Sequence, residues 1–245
     1  MTVKQYLLDR IKNGTIHMTL LDPDKQSAEE AGEIARNVKN AGTDAIMIGG
    51  STGVTSENLD ATARAIKEAS GLPTICFPAG PSALSKEVDS IFFMSMVNST
   101  DPFFLIKAQA KASIYVKKLG IEPIPMGYII IAPGMKVGEV GKAELIDRND
   151  NEKAIGYALA CEMLGMDFVY LEAGSGADLP VPASMITAVK HAISVPLIVG
   201  GGIKTPEAAK AARQAGADAV VTGTFVERCK DESLLRSVIK ASKGI

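Results

Sequence analysis

Apolar residues in this chain come in short runs that end at glycine or aspartate. Between the runs, apolar positions recur every three or four residues. The first pattern reads as buried strands and the second as amphipathic helices. Strands are predicted over 16–21, 45–48, 73–77, 91–96, 124–131, 168–172, 196–199 and 219–222. A short leading helix over 2–13 is stopped by Gly14. Ser27-Ala28-Glu29-Glu30 is a capping box for a helix that ends near Ala41-Gly42. Further helices are expected over 56–69, from Asp101-Pro102 to about Leu119, and over 151–164, 182–193, 206–216 and 232–243. The stretch 135–148 shows little periodicity and reads as a mobile loop.

Strands that alternate with helices imply a parallel sheet. Eight such units without a linker imply one closed (β/α)8 TIM barrel domain over residues 1–245, with a doubly wound open sheet as the alternative. One unit is defective. Only about a dozen residues separate the third and fourth strands, which is the lower limit for a crossover carrying a helix. The barrel is therefore a modified one, its third helix absent or reduced to a turn. A barrel places its site at the carboxyl ends of the strands.

Composition narrows the function. The 245 residues are 47% hydrophobic, enough for a large core. The 26 basic and 28 acidic residues nearly cancel, which argues against nucleic acid as the main partner. Three distant cysteines and two histidines offer no zinc-ligand spacing, and suggest a reduced cytoplasmic setting. The first residues are charged and amphipathic, unlike a signal peptide, and no run approaches the ~18 residues of a membrane span.

The candidate chemistry lies at the strand ends. Tyr170-Leu171-Glu172 runs into Ala173-Gly174-Ser175-Gly176, and alternation puts Phe168, Tyr170 and Glu172 on one face. The next two strands run into Gly200-Gly201-Gly202-Ile203 and Gly223-Thr224. Glycine turns after the seventh and eighth strands are the usual phosphate site of a barrel, although each alone would make only a tight turn. Glu172 at the barrel mouth is a candidate base; the alternative is a structural ion pair with a lysine or arginine. Asp22 caps the first strand in inward phase, with Ser51 and Thr52 on its neighbour. Oxygen donors of this kind suit a Mg2+ shared with a diphosphate; the alternative for Asp22 is a helix-capping aspartate, a role that Asp24 could fill as readily. Phe77, Phe92, Phe93, Phe103 and Phe104, with Met94 and Met96, gather around the missing helix. They are core, or the wall of a slot for a long apolar ligand, or a subunit interface.

These motifs, with Leu21-Asp22-Pro23-Asp24-Lys25 and Ile48-Gly49-Gly50-Ser51-Thr52-Gly53, resemble those of the geranylgeranylglyceryl phosphate synthases from about Ile16 onward. That family is a modified barrel whose third helix is replaced. The resemblance implies a prenyltransferase that joins the 3-hydroxyl of sn-glycerol 1-phosphate to geranylgeranyl diphosphate. The reaction forms the first ether of archaeal membrane lipids and releases diphosphate, with Mg2+. It assigns Mg2+ to Asp22 and Ser51. The glycerol phosphate falls to Tyr170, Leu171, Glu172, Ala173, Gly174, Ser175, Gly176, Gly201, Gly202, Gly223 and Thr224. Glu172 would take the hydroxyl proton, oriented by Tyr170. A homo-oligomer, dimer or hexamer, and a transient contact with a membrane surface are also implied. A bacterial branch that uses heptaprenyl diphosphate has a lysine where Leu20 stands here, which favours the archaeal reading. The remaining rivals are a phosphate-binding isomerase or lyase, and a non-catalytic scaffold.

Overall fold

The computed structural model describes residues 1–50, 53–78, 80–81 and 83–245. Its strands are β1 Ile16–Leu21, β2 Ala45–Ile48, β3 Thr74–Cys76, β4 Ser90–Met96, β5 Glu122–Ile130, β6 Phe168–Glu172, β7 Leu197–Gly200 and β8 Ala219–Thr222. They pair in sequence order, all parallel, and β1 bonds to both β2 and β8, so the sheet closes on itself. The open-sheet alternative is excluded. Period-two alternation sorts the strand residues into two cores. Met18, Met47, Ile75, Phe92, Met126, Phe168 and Ile198 fill the barrel. Ile46, Ile48, Val169, Leu171 and Val199 face the outer helices.

The helices are set by their caps. α1 Val3–Ile11 lies under the barrel, where the Glu122 carboxylate accepts hydrogen bonds from the Val3 and Lys4 amides at 2.6 and 3.1 Å. α2 Ala28–Ala41 starts at the predicted box, with Ser27 and Glu30 bonded reciprocally, and ends at left-handed Gly42. α3 Ser56–Ser70 follows β2. No helix joins β3 to β4 among the described residues, as the short crossover with its two prolines requires. After β4 the chain makes a π turn, Phe103–Lys107, before α4 Ala108–Leu119. The sequence predicts a single α-helix there; the wider turn arises where the Ala108 amide bonds to the Phe103 carbonyl. α6 Asn151–Met163, α7 Ala183–Ala192, α8 Pro206–Gln214, α9 Thr224–Arg228 and α10 Glu232–Lys243 complete the outer layer. No helix among the described residues is long and apolar enough to cross a membrane.

The mobile loop expected over 135–148 is a correction. Met135–Val140 is a helix, α5, and Ala143 and Ile146 form bridges with Ser99 and Ile131. Buried Asn98 fastens the segment. Its side chain donates to the Ile130 and Glu144 carbonyls at 2.9 and 3.0 Å and accepts from the Ile130 amide at 3.0 Å. Ser99 Oγ donates to the Gly141 carbonyl at 2.6 Å. These partners lie far away in sequence, so local periodicity carries no trace of them.

His17 is fully buried, between Thr43 Oγ1 at 2.8 Å and Thr222 Oγ1 at 3.0 Å. Burial pushes its pKa down to about 3, with Asp44 raising it and Lys243 lowering it further. An unfolded imidazole titrates near 6.5. Between these values only the unfolded chain binds the proton. His17 therefore contributes full stability above pH 6.5 and loses about 1.4 kcal/mol per unit as the pH falls toward 3. The melting temperature is expected to drop across this range, with a shallower slope in His17→Gln. Equal slopes in both proteins would place the acid sensitivity elsewhere.

Candidate active site

Glu172 ends β6 and is 6% exposed. Its Oε1 accepts the Gly174 amide at 2.7 Å, and the hydroxyls of Tyr170 and Tyr128 also bond to the carboxylate. No lysine or arginine pairs with it among the described residues, so the ion-pair alternative fails. Burial raises its pKa, and the bonds from Tyr170, Gly174 and Tyr128 pull in the opposite direction. Burial and the Glu172 charge hold both phenols well above 10, so they stay protonated and donate. Tyr128 is absent from the reading of the sequence. It stands opposite Tyr170 in the β5–β6 register, with ring centroids 5.1 Å apart. The usable signal was period two: Met126, Tyr128 and Ile130 share the inward face.

The glycines after β7 have a steric reason. A Cβ on Gly200 would stand 2.2 Å from the Tyr170 hydroxyl, and one on Gly201 would stand 2.3 Å from Glu172 Oε1. Gly201 also has φ +81, a left-handed value that favours glycine. The turn can thus lie against the two side chains that it helps to frame.

Tyr170, Glu172, Ser175, Gly176, Gly201, Gly202, Gly223 and Thr224 line one polar cavity of about 40 Å3. Ser175 Oγ and Thr224 Oγ1 are 2.6 Å apart and tie two of its loops together. Lys204 is on its rim, with Nζ 3.3 Å from the Gly176 carbonyl. The sequence reading overlooked this cation, although it directly follows the Gly-Gly-Gly-Ile turn. Leu171 and Ala173 are not brought to the cavity: both belong to the core between barrel and helices. The Ala173 amide donates to the Gly200 carbonyl, and the Gly174 amide is taken by Glu172.

A second cavity, of about 150 Å3, is mainly apolar. It opens on the flank without a helix, between Phe77 and Leu84 on one side and Phe103, Phe104 and Ala112 on the other, with Phe93, Met94 and Met96 in its wall. For Phe92 the core alternative holds: it points into the barrel, buried against Phe168 with ring centroids 6.1 Å apart, and does not line the slot. Leu20, Glu172 and Ser175 line both cavities, so the carboxylate stands where the polar space meets the apolar one.

Asp22 is 8% exposed at the end of β1. Its Oδ1 accepts the Asp24 amide at 3.1 Å, and its own amide donates to Glu227 Oε1 at 2.9 Å. Lys25 Nζ is 3.4 Å from Asp22 Oδ2 and 3.1 Å from Glu227 Oε2. A Cβ on Gly50 would stand 2.2 Å from Asp22 Oδ2, so the backbone after β2 passes directly over this carboxylate. Ser51 and Thr52 lie outside the described residues. No group of three or more His, Cys, Asp or Glu among the described residues could hold a metal alone. One hard carboxylate fits Mg2+, which is commonly held by one or two carboxylates together with substrate phosphates.

Comparison with known proteins agrees with this geometry. Residues 8–242 match the PcrB family. The geranylgeranylglyceryl phosphate synthase of Thermococcus kodakarensis is 54% identical over 226 residues, 92% of this chain and 90% of that protein. The synthase of Thermoplasma volcanium is 47% identical over 246 residues, covering 100% of this chain and 98% of that one. The crystal structure of (S)-3-O-geranylgeranylglyceryl phosphate synthase from Thermoplasma acidophilum, in complex with its substrate sn-glycerol-1-phosphate, superposes with a TM-score of 0.97 at 45% identity, over 100% of both chains. The tryptophan synthase alpha chain of Legionella pneumophila, at 14% identity and a TM-score of 0.62, shares the fold alone. With a family match over nearly its whole length and relatives near half identity, the chain belongs to the PcrB family, that of the geranylgeranylglyceryl phosphate synthases.

Proposed function

We propose that this enzyme joins the 3-hydroxyl of sn-glycerol 1-phosphate to geranylgeranyl diphosphate, forming an ether and releasing diphosphate. The observation that carries this reading is the position of Glu172. A buried carboxylate without a basic partner among the described residues lines a small polar cavity and a larger apolar one at once. The hydroxyls, carboxylate and glycine turns around the first cavity suit the polar glycerol phosphate, and the apolar second suits a prenyl chain. The cavity between the Ser175 and Thr224 loops receives the phosphate, with Lys204 at its rim. Glu172 takes the proton of the 3-hydroxyl as its oxygen bonds to C1 of the prenyl chain. The bond from C1 to the diphosphate oxygen breaks, and its electron pair leaves with diphosphate. Tyr128 and Tyr170 hold the carboxylate in place and remain protonated throughout. Asp22, with Ser51, would hold Mg2+, which supplies positive charge for the departing diphosphate. The three cysteines are free, which fits a reducing compartment, and we place the enzyme in the cytoplasm.

The test is incubation with radiolabelled sn-glycerol 1-phosphate and prenyl diphosphates of several lengths, followed by extraction of labelled lipid. Geranylgeranyl diphosphate is expected to be the preferred donor. An absence of labelled lipid with every donor would overturn the reading.

Chain length has its own test. Ala112 lies on α4 where the apolar cavity reaches the outer core beside Leu84 and Ile91. Each buried methylene contributes about 0.8 kcal/mol, so losing room for a five-carbon unit removes up to about 4 kcal/mol of binding. Ala112→Phe is expected to shift preference toward a shorter donor. Unchanged preference there and in Phe104→Leu would move the prenyl chain out of this cavity.

A further inference from the structure

Residues 102–121 carry four lysines and no acidic residue, in a chain whose charges as a whole nearly cancel. Lys107, Lys111, Lys117 and Lys118 are all exposed. None forms an ion pair among the described residues. Lys111 and Lys118 rest over aromatic rings instead, 5.6 Å from the Phe103 centroid and 6.0 Å from that of Tyr115. Among the lysines stand large apolar residues facing solvent: Ile106 at 63% exposure, Ile114 at 61% and Tyr115 at 58%. Ile106, Ala110 and Ile114 recur at four-residue spacing along the outward side. The inward side buries Ala112 and Val116, and Phe103, Phe104 and Ala108 line the apolar cavity.

A water-facing helix surface is ordinarily polar. Here the surface combines apolar side chains with positive charge that no ion pair holds among the described residues, the combination that lies in the interface of an anionic bilayer; Lys107 does feel Asp101 at the edge of the patch. We propose that the outward face of the π turn and α4 docks on an anionic lipid surface. The wall of the apolar cavity would then rest against the layer in which a long-chain prenyl diphosphate dissolves. The purpose of this docking rests on the assignment of that cavity to the prenyl chain. A second copy of the chain is the poorer occupant. A two-fold contact through this face would set like charges against like charges, because the same patch meets itself.

The experiment uses the full chain with vesicles of phosphatidylcholine alone, and of phosphatidylcholine with phosphatidylglycerol, at low and high salt. Co-sedimentation is expected only with the anionic vesicles, and weaker at high salt. A variant with Lys107, Lys117 and Lys118 each replaced by Glu is expected to bind at least about tenfold more weakly. Its turnover should equal that of the wild type on donor dispersed in detergent micelles, and should fall on donor held in anionic vesicles. Glu172→Gln should bind vesicles normally while losing turnover, which separates docking from the assigned reaction. Vesicle binding by a wild type that transfers no prenyl group would support docking and remove that reaction instead. Absence of binding to anionic vesicles, or equal binding by the triple variant, would overturn the proposal. A mass in sedimentation velocity that falls by half in the triple variant, without vesicle binding by the wild type, would make this face a subunit contact and overturn it too.

Discussion

Glu172→Gln is expected to lower turnover by about 10²–10⁴-fold, the usual loss when a general base is removed. Glutamine keeps the shape of the side chain: its oxygen can still accept the Gly174 amide, and its NH2 donates to a phenol oxygen where the carboxylate accepted. It cannot accept the substrate proton at neutral pH. Affinity for sn-glycerol 1-phosphate should change far less, because the loops around Ser175, Gly202 and Thr224 frame the rest of the polar cavity. The pH profile supplies a second readout. Burial raises the pKa of Glu172, so the acid limb of kcat/KM should lie above the ordinary carboxylate range. Tyr128→Phe and Tyr170→Phe each remove a bond that pulls this pKa down, and should move the limb higher with a milder loss of rate. Stability should respond in the opposite sense to activity. A carboxyl group whose folded pKa is raised loses stability as the pH climbs through that pKa. At neutral pH the Gln variant is therefore expected to melt no lower than the wild type. Near-normal turnover in this variant would remove Glu172 as the base; equal losses of turnover and of glycerol-phosphate affinity would make it a substrate ligand only.

Asp22→Asn is expected to reduce turnover by about 10²-fold or more, as when other stabilisers of developing charge are removed. The amide keeps an oxygen for the Asp24 N–H, so the turn should persist. It carries no charge for Mg2+, however, and leaves Lys25 paired with Glu227 alone. The measurement is diphosphate binding by calorimetry with and without Mg2+, beside turnover at increasing Mg2+. The wild type should bind diphosphate more tightly when Mg2+ is present, and the variant should show little difference. Full activity of the variant in chelator-treated buffer would sink the assignment of the metal to Asp22. If turnover falls but the Mg2+ dependence of diphosphate binding does not, Asp22 acts through Lys25 and not through a metal.

The barrel, its strand positions and its defect were legible in the sequence because each rests on local physics. Apolar runs, capping residues and a crossover too short for a helix act within a few residues of one another. β1, β2 and β8 lie where the apolar runs predicted. Alternation along β6 also sufficed to turn Glu172 and Tyr170 inward and Leu171 outward, so the exclusion of Leu171 from the cavity was legible too. What remained hidden depends on closure of the sheet. Tyr128 meets Glu172 only because β5 and β6 pair in one register. Asn98 orders residues near 144 only because β4 and β5 are neighbours. Glu227 reaches Asp22 and Lys25 only because β8 returns beside β1. Each of these contacts joins side chains tens to hundreds of positions apart, and no periodicity or cap encodes such a distance. The tertiary structure alone decided what surrounds the two carboxylates, because burial and hydrogen bonding at the barrel mouth are shared among strands that meet only after the barrel has closed.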